Sequence, residues 1–498
     1  MSFSNTHKNH ELRAVIDIGS NSVRLVIYKI EKKLPITLYN EREICELGKY
    51  NKRSGKLTSK ATKKTFILLQ RFKILLDQVG VNDVYAVATE AVRKAKNYSI
   101  FVEYAEKIID QKIIILSGLE EAHISALGTI RSNIKVNGVV ADLGGGSLEI
   151  IQVENDLSKE AVSLPIGTLQ FGEYEPLSKQ LDNRIDSEIK DHINLFNDNE
   201  ILYAVGGTWR SIARLIIKKS NHPINIVDGF SISANKLQKA LVSMVQSIKT
   251  NSKMKLSISD HRLNTIPYGA VIMIRLLKQL NIKRVIFSSQ GLREGVLIKF
   301  SDKRILHGDP LKISIERLMN NSLRGRKYND SLFDWSYSFL NKVMSDENYI
   351  GDRLLRAIFH LSDIAINTNS KFRSLYSIQR LEQAIIYGIS HQERVVMSVA
   401  IASQYIDQFR KKDLNSKRKL ITKDQQYYAI LVGELIAFAH SISISSYQSL
   451  KKTSIDIKDN KILFTLPKDM MPMGTGNSAY RLKRLSKYTN LPYLIEYY

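Results

Sequence analysis

Cysteine is all but absent: Cys45 is the single one in 498 residues. A lone thiol excludes a disulfide framework and any cysteine-rich metal centre, and it fits a reducing compartment. Cys45 itself reads as a small buried apolar side chain. Long apolar runs are missing as well. The stretch MSFSNTHKNHELR is polar and has no apolar core, so no secretory signal is expected there. The best membrane candidate, YYAILVGELIAFA (427–439), falls well short of the roughly 20 residues that a span needs and holds Glu434 inside it. It reads as a buried helix, and a cytoplasmic protein is expected. Acidic residues are also scarce, 49 against 73 Lys and Arg, leaving a formal net charge of +24. That excess favours a polyanionic partner: nucleic acid, an anionic membrane surface or a phosphate polymer.

What is present is an ordinary globular composition, long enough to predict two to four domains. Strand-like and helical patterns alternate through the first 300 residues, as in α/β layers. AVIDIGS, LVIYKI, VYAVAT, KIIILSG, GVVADLGGG, LEIIQV, ILYAVGG and RVIFSSQG read as strands, and residues 60–80 as an amphipathic helix closed by Gly80. Beyond HGDP (307–310) glycine thins out and amphipathic helical patterns dominate. Basic runs follow at 409–419 and 480–487, either of which is the ordinary pattern of a solvated face.

A weak internal repeat carries more information. AVIDIGSNSVRLVIY (14–28) has a partner in GVVADLGGGSLEIIQV (138–153): an apolar strand, Asp, a Gly-containing small-residue turn, then a second strand. The two aspartates, Asp17 and Asp142, are a domain-length apart, so two similar lobes facing across a cleft would bring both turns to one site. Gly-rich turns expose backbone N–H groups that bind phosphate oxygens, and Gly144, Gly145 and Gly146 admit an anion closely for want of a Cβ. Ser20, Asn21, Ser22 and Ser147 add polar side chains to the two turns. A carboxylate repels phosphate, so Asp17 and Asp142, joined by Glu149, are expected to hold Mg²⁺ or another divalent cation. A third strand end, Gly206-Gly207-Thr208, leads into a helix and is either a further anion site or a tight turn with an N-cap.

Together these segments resemble the superfamily of actin, sugar kinases and the 70-kDa chaperones. More specifically they resemble the exopolyphosphatase / guanosine-pentaphosphate phosphohydrolase family. The resemblance rests on DIGSNSVRLVIY, ATEAVRKAKN, ILSGLEEAHISALG, DLGGGSLEI, LPIGTLQF, VGGTWRSIARL and GLREGVL, in that order over residues 14–297. It extends more weakly to LSDIA and YGISHQER. It implies two actin-like (ribonuclease H-like) lobes, residues 1–132 and 133–306, facing across a cleft. An all-helical C-terminal domain resembling His-Asp phosphohydrolases would follow over 307–498. The family's metal-binding His-Asp pair reads Ser362-Asp363 here, and no metal site is expected in that domain.

In the pair Glu120-Glu121, helical geometry allows only one carboxylate to face a cleft and does not choose between them. The resemblance assigns Glu121 as the group that positions the attacking water, and Arg93 as a phosphate-facing cation whose planar fork suits two oxygens. Arg293 is expected to be structural, paired with Glu294 or a backbone carbonyl. The implied reaction is metal-dependent hydrolysis of the terminal phosphoanhydride of inorganic polyphosphate, with guanosine pentaphosphate as the alternative substrate at the same site. A non-catalytic polyanion-binding or nucleotide-binding regulator is the alternative from another class, and a sugar or acetate kinase is disfavoured. A homodimer fits the resemblance; membrane and nucleic acid are not expected partners.

Overall fold

The computed structural model describes residues 12–49, 54–196, 199–250, 260–301, 304–319, 325–344, 350–405, 416–444 and 446–498. The chain divides into two compact units: residues 1–221 with 225–310, and residues 222–224 with 311–498.

Two sheets build the first unit. One contains β1 (Leu12–Ile18), β2 (Ser22–Glu31), β3 (Leu34–Ile44), β4 (Asp83–Ala88) and β5 (Ile113–Ile115), in the order β3-β2-β1-β4-β5. The other contains β6 (Gly138–Leu143), β7 (Leu148–Glu154), β8 (Leu157–Leu164), β9 (Ile201–Val205), β10 (Phe230–Ser233) and β11 (Arg284–Phe287), in the order β10-β11-β9-β6-β7-β8. Each begins as a three-stranded antiparallel meander and then adds two parallel strands on the far side of its first strand, and the second sheet ends in β10, antiparallel to β11. The internal repeat is therefore a repeat of topology, and β1 corresponds to β6. Apolar pattern alone does not pick out β3, β8 or the short β10: β3 and β8 carry charged residues and are mostly partly or fully exposed.

The first lobe shows why its helices form where they do. In α1 (Ser59–Val79) Leu68, Leu69, Phe72 and Leu76 recur at helical spacing, and the Thr58 hydroxyl caps the start by accepting from Ala61 N. Gly80 closes it at φ 74°, a conformation only glycine adopts without strain. Those four side chains pack with Ala14, Ile16, Val23 and Leu25 of β1 and β2. Fully burying each large apolar side chain contributes roughly 1.5–3 kcal/mol. This packing fixes the strand ends that carry Asp17 and the turn after it.

The second unit is mainly helical, and it also carries a small sheet, β12 (Ser454–Lys458), β13 (Lys461–Leu466) and β14 (Tyr493–Tyr497). The apolar stretch 427–439 lies within a helix, Lys423–Ser443, most of whose middle is buried. Its Glu434 pairs with Arg484 at 2.6 Å. Among the described residues no helix is long and apolar enough to cross a membrane.

Candidate active site

Each meander turns at its Asp-x-Gly segment in the same way. Gly19 N donates to Ser22 O at 3.1 Å, and Gly144 N donates to Ser147 O at 3.0 Å. The carbonyls of both turns are then taken up by a later segment of the same lobe. Ser20 O and Asn21 O accept from Cys45, Glu46 and Gly48, while Gly144, Gly145 and Gly146 accept from Thr168, Leu169 and Gly167. With the carbonyls turned away, the N–H groups of Gly145 and Gly146 have no internal acceptor among the described residues and are available to an anion. Gly167 is indispensable to this arrangement: a Cβ there would lie 2.3 Å from the backbone of Gly146.

The two turns meet at one cavity of about 160 Å³. Its lining includes Asp17, Ser20, Asn21, Ser22, Glu121, Asp142, Gly144, Gly145, Gly146, Ser147, Glu149, Gly206, Gly207 and Thr208. Fourteen of the fifteen residues singled out from sequence thus come together. Arg93 is the exception. Its guanidinium donates to Leu116 O and lies 3.6 Å from Glu121 Oε2, bordering the cavity through Glu121 rather than lining it.

The choice within the acidic pair follows from the start of α2 (Gly118–Ser132). Glu120 is used by the helix itself: its carboxylate accepts from Ser117 N at 2.8 Å, and its N–H donates to the Ser117 hydroxyl at 3.2 Å. This capping box leaves Glu120 exposed. Glu121, about 100° further round, is buried in the cleft, and its Oε2 has no hydrogen-bond partner. Burial, and next the nearby Glu149, hold its carboxyl well above the usual range, with Arg93 pulling the other way.

Glu149 is paired directly opposite Asp142 across β6 and β7. Burial pushes it up to about 8, against hydrogen bonds from Ser147 and Ser163. Asp142 is raised by burial and opposed by the Ser125 hydroxyl, which donates to it, and by Arg210. Asp17 is also raised by burial, but three arginines, Arg293, Arg24 and Arg42, oppose the rise. The two aspartates therefore differ. Asp17 has three arginines near it and Asp142 has two, Arg210 and Arg293, but Asp142 stands opposite Glu149, and Glu149 and Asp142 both raise Glu121.

That crowding fits a divalent cation, which Asp142 and Glu149 could hold. Among the described residues no three His, Cys, Asp or Glu side chains gather tightly enough for a protein-only cage. Mg²⁺ is ordinarily held without one, by one or two carboxylates together with waters and substrate phosphate oxygens.

Sequence reasoning missed the arginines. Arg24, Arg42, Arg210, Arg262 and Arg293 all line the cavity. Burial and then neighbouring arginines lower Arg24 to about 9 and Arg262 to about 10; burial and then Arg293 lower Arg210 to about 10. Arg42 Nε donates to Ser22 Oγ at 2.9 Å, Arg210 donates to Ser289 O at 2.7 Å, and Arg262 reaches Thr208 Oγ1 at 3.4 Å. Glu294 is the chief charge that favours the buried Arg293 guanidinium, as expected, but the two do not hydrogen-bond. Glu294 instead accepts from Tyr28 OH at 2.8 Å and from Gly291 N at 3.0 Å, and Arg293 lines the cleft with its Nε buried and without a hydrogen-bond partner. The serines also differ from expectation. Ser20 donates to Glu90 and Ser147 bonds to Glu149, whereas Ser22 accepts from Arg42 and keeps its own hydroxyl proton, so backbone N–H groups, arginines and Ser22 are the donors left for an anion.

A sequence model of the Ppx/GppA phosphatase family matches residues 26–304, and one of the exopolyphosphatase C-terminal region matches residues 314–493. The chain belongs to the Ppx/GppA phosphatase family. Members of this family hydrolyse phosphoanhydride bonds. A guanosine-5′-triphosphate,3′-diphosphate pyrophosphatase of Pseudoalteromonas atlantica is 26% identical over 305 residues, 58% of this chain and 59% of that protein. Exopolyphosphatase 1 of Mycobacterium leprae is 25% identical over 303 residues, 58% of this chain and 89% of that protein. The chain thus spans about three fifths of the length of the first of these relatives. Among solved structures, the Aquifex aeolicus family member superposes with a TM-score of 0.51 at 27% identity, covering 58% of this chain and 97% of that one. The two facing lobes are accordingly actin-like.

Proposed function

We propose that this chain is an exopolyphosphatase, removing the terminal phosphate of inorganic polyphosphate. The observation that carries the choice of substrate is the cavity lining. Five arginines and the glycine turns surround it, and among the described residues no aromatic side chain lines it to stack against a base. A phosphate polymer satisfies such a lining along its whole length. A nucleotide would leave its base without the stacking partner that base recognition ordinarily uses.

In this reading the terminal phosphoryl group rests on the N–H groups of Gly145 and Gly146, and the arginines take the charge of the chain behind it. Glu121 orients a water in line with the scissile bond, and Arg93 helps keep that carboxylate ionised. The water oxygen bonds to the terminal phosphorus and the bridging P–O bond breaks, its electron pair staying on the shortened chain beside the arginines. The water proton passes to Glu121 and from there to the orthophosphate. A divalent cation on Asp142 and Glu149 would offset phosphoryl charge. Catalysis of this kind is positioning and charge stabilisation.

Orthophosphate release from long-chain polyphosphate and from guanosine pentaphosphate, compared at equal phosphate concentration, tests the assignment. A higher kcat/KM for polyphosphate is expected. A clear preference for the nucleotide would replace this reading with the guanosine pentaphosphate phosphohydrolase one.

A further inference from the structure

A second cavity, of about 410 Å³, lies behind the Arg93–Glu121 pair. Ser147 lines both cavities and forms part of the wall between them. Arg93 and Lys94 stand in its wall, Lys94 already paired with an acid there. The acid there, Glu90, is taken up internally: one oxygen holds Lys94 Nζ at 2.6 Å and the other accepts from Ser20. Leu119, 53% exposed, stands among its lining residues.

We propose that this second cavity is the exit through which orthophosphate leaves. The inference rests on the hydrolase reading above. In an in-line displacement the phosphorus ends bonded to the oxygen that Glu121 oriented, and the departing chain lies on the opposite side. The product therefore forms on the Glu121 side of the cleft, next to the second cavity. A long chain still held by the cleft arginines blocks the way back through the first cavity. Arg93, beside Glu121 and lining the second cavity, supplies the cation past which the anion moves outward. A short chain does not fill the cleft, and its product can leave by either route.

Reversible blocking tests this. Leu119→Cys places a thiol among the lining residues, and the native Cys45 is buried, so a bulky methanethiosulfonate reagent is directed to position 119 and a reductant removes it. Two measurements on long-chain polyphosphate separate chemistry from release. Acid-quenched single turnovers report orthophosphate formed, and a phosphate-binding fluorescent sensor reports orthophosphate free in solution. After blocking, formation should be unchanged while steady-state release falls at least about fivefold, with a burst of bound product, as expected when release limits turnover. The loss should be smaller on tripolyphosphate, and reductant should restore release. Release unaffected by the block overturns the proposal, and so does formation falling in parallel with release. If the unmodified protein frees no orthophosphate from any polyphosphate, the hydrolase reading fails first and the exit falls with it.

Discussion

Five arginines turn into the cleft of the α/β unit, whereas Lys417, Arg418, Lys419, Lys483, Arg484 and Lys487 of the helical unit are matched by acids or face water. In the cleft, Arg24, Arg42, Arg210, Arg262 and Arg293 come from separate elements and converge on one cavity, where burial and mutual repulsion lower the first four. In the helical unit Lys417 meets Glu382 at 3.3 Å and Arg484 meets Glu434 at 2.6 Å, while Arg418, Lys419, Lys483 and Lys487 are exposed. A net charge counts both groups alike. Physically they differ: an exposed cation keeps its water and contributes little per contact, while a buried cluster is a standing cost that a bound anion removes.

The sharpest way to break the comparison is to leave every cation in place and remove the reaction. Glu121→Gln should lower turnover at least about 10²-fold, the scale of losing a general base, with polyphosphate binding retained. Glu120→Gln should leave turnover nearly unchanged and reduce thermal stability slightly, since it weakens only the cap of α2. Steady-state kinetics beside calorimetric binding of polyphosphate distinguish the two. Damage from Glu120→Gln alone would transfer the role to the exposed residue.

Removing cleft cations comes next in size. A hydrogen bond to a charged group contributes about 1.5–3 kcal/mol, so Arg24→Met or Arg262→Met should raise KM for polyphosphate roughly ten- to a hundredfold. Lys483→Met and Lys487→Met should change it less than about twofold. The sign of the stability effect is the second readout. Arg24 is held at about 9 in the fold, below its ordinary value of 12.5. The folded state therefore disfavours its charge at every pH below that ordinary value, neutral pH included. Arg24→Met should leave the substrate-free protein no less stable, and a fall in melting temperature would show that the arginine is structural.

The two aspartates give a smaller, finer contrast. Both have arginines near them, but Asp142 also faces Glu149 directly across the sheet, whereas the strand partner of Asp17 is Arg24. Chelation by EDTA should abolish hydrolysis. Asp142→Asn should raise the Mg²⁺ concentration for half-maximal rate by about tenfold or more, the scale of losing one hard ligand. Asp17→Asn should alter KM and leave the Mg²⁺ requirement near its original value. Metal titration of both variants decides this, and equal shifts would place the cation between the two turns.

How much of this was legible in the sequence depends on how local the signal is. The two Asp-x-Gly turns, the Gly206-Gly207 strand end and α1 with its caps are written in contiguous residues, and they bring most of the expected site together. The Glu120–Glu121 choice needed one further step that the sequence does contain. Ser117 three residues before Glu120 is a capping-box spacing, which uses Glu120 and leaves Glu121 for the cleft. The arginines have no such signal. Arg24 and Arg293 are 269 residues apart, and each stands alone on its element. The one hint was a cation inside an otherwise apolar strand, SVRLVIY, where a partner was owed. β3 and β8 were hidden because partly exposed strands carry charge, and the sheet β12-β13-β14 for the same reason, while β10 is a four-residue FSIS with little apolar signal.

The smallest effect is expected where the sequence looked most suggestive, in the basic run 409–419. Arg410, Lys411 and Lys412 lie outside the described residues. Of the rest, Lys417 is already paired with Glu382, and Arg418 and Lys419 face water. Capturing a polyanion with such residues releases counterions, so each contact made adds to the fall of affinity with salt. If the run guides the chain, replacing Arg410, Lys411, Lys412, Lys417, Arg418 and Lys419 with neutral residues should flatten the slope of log affinity against log salt. It should weaken long polyphosphate while sparing tri- and tetraphosphate, which reach only the turns and the cleft arginines. The comparison drawn above predicts a modest change, confined to the slope and to long chains. A loss as large as that of Arg262→Met would mean that exposed and buried cations do equal work here. Equal losses for short and long substrates would instead indicate a damaged fold, since loss of the Lys417–Glu382 pair would leave Glu382, whose carboxyl burial already raises, without its cation.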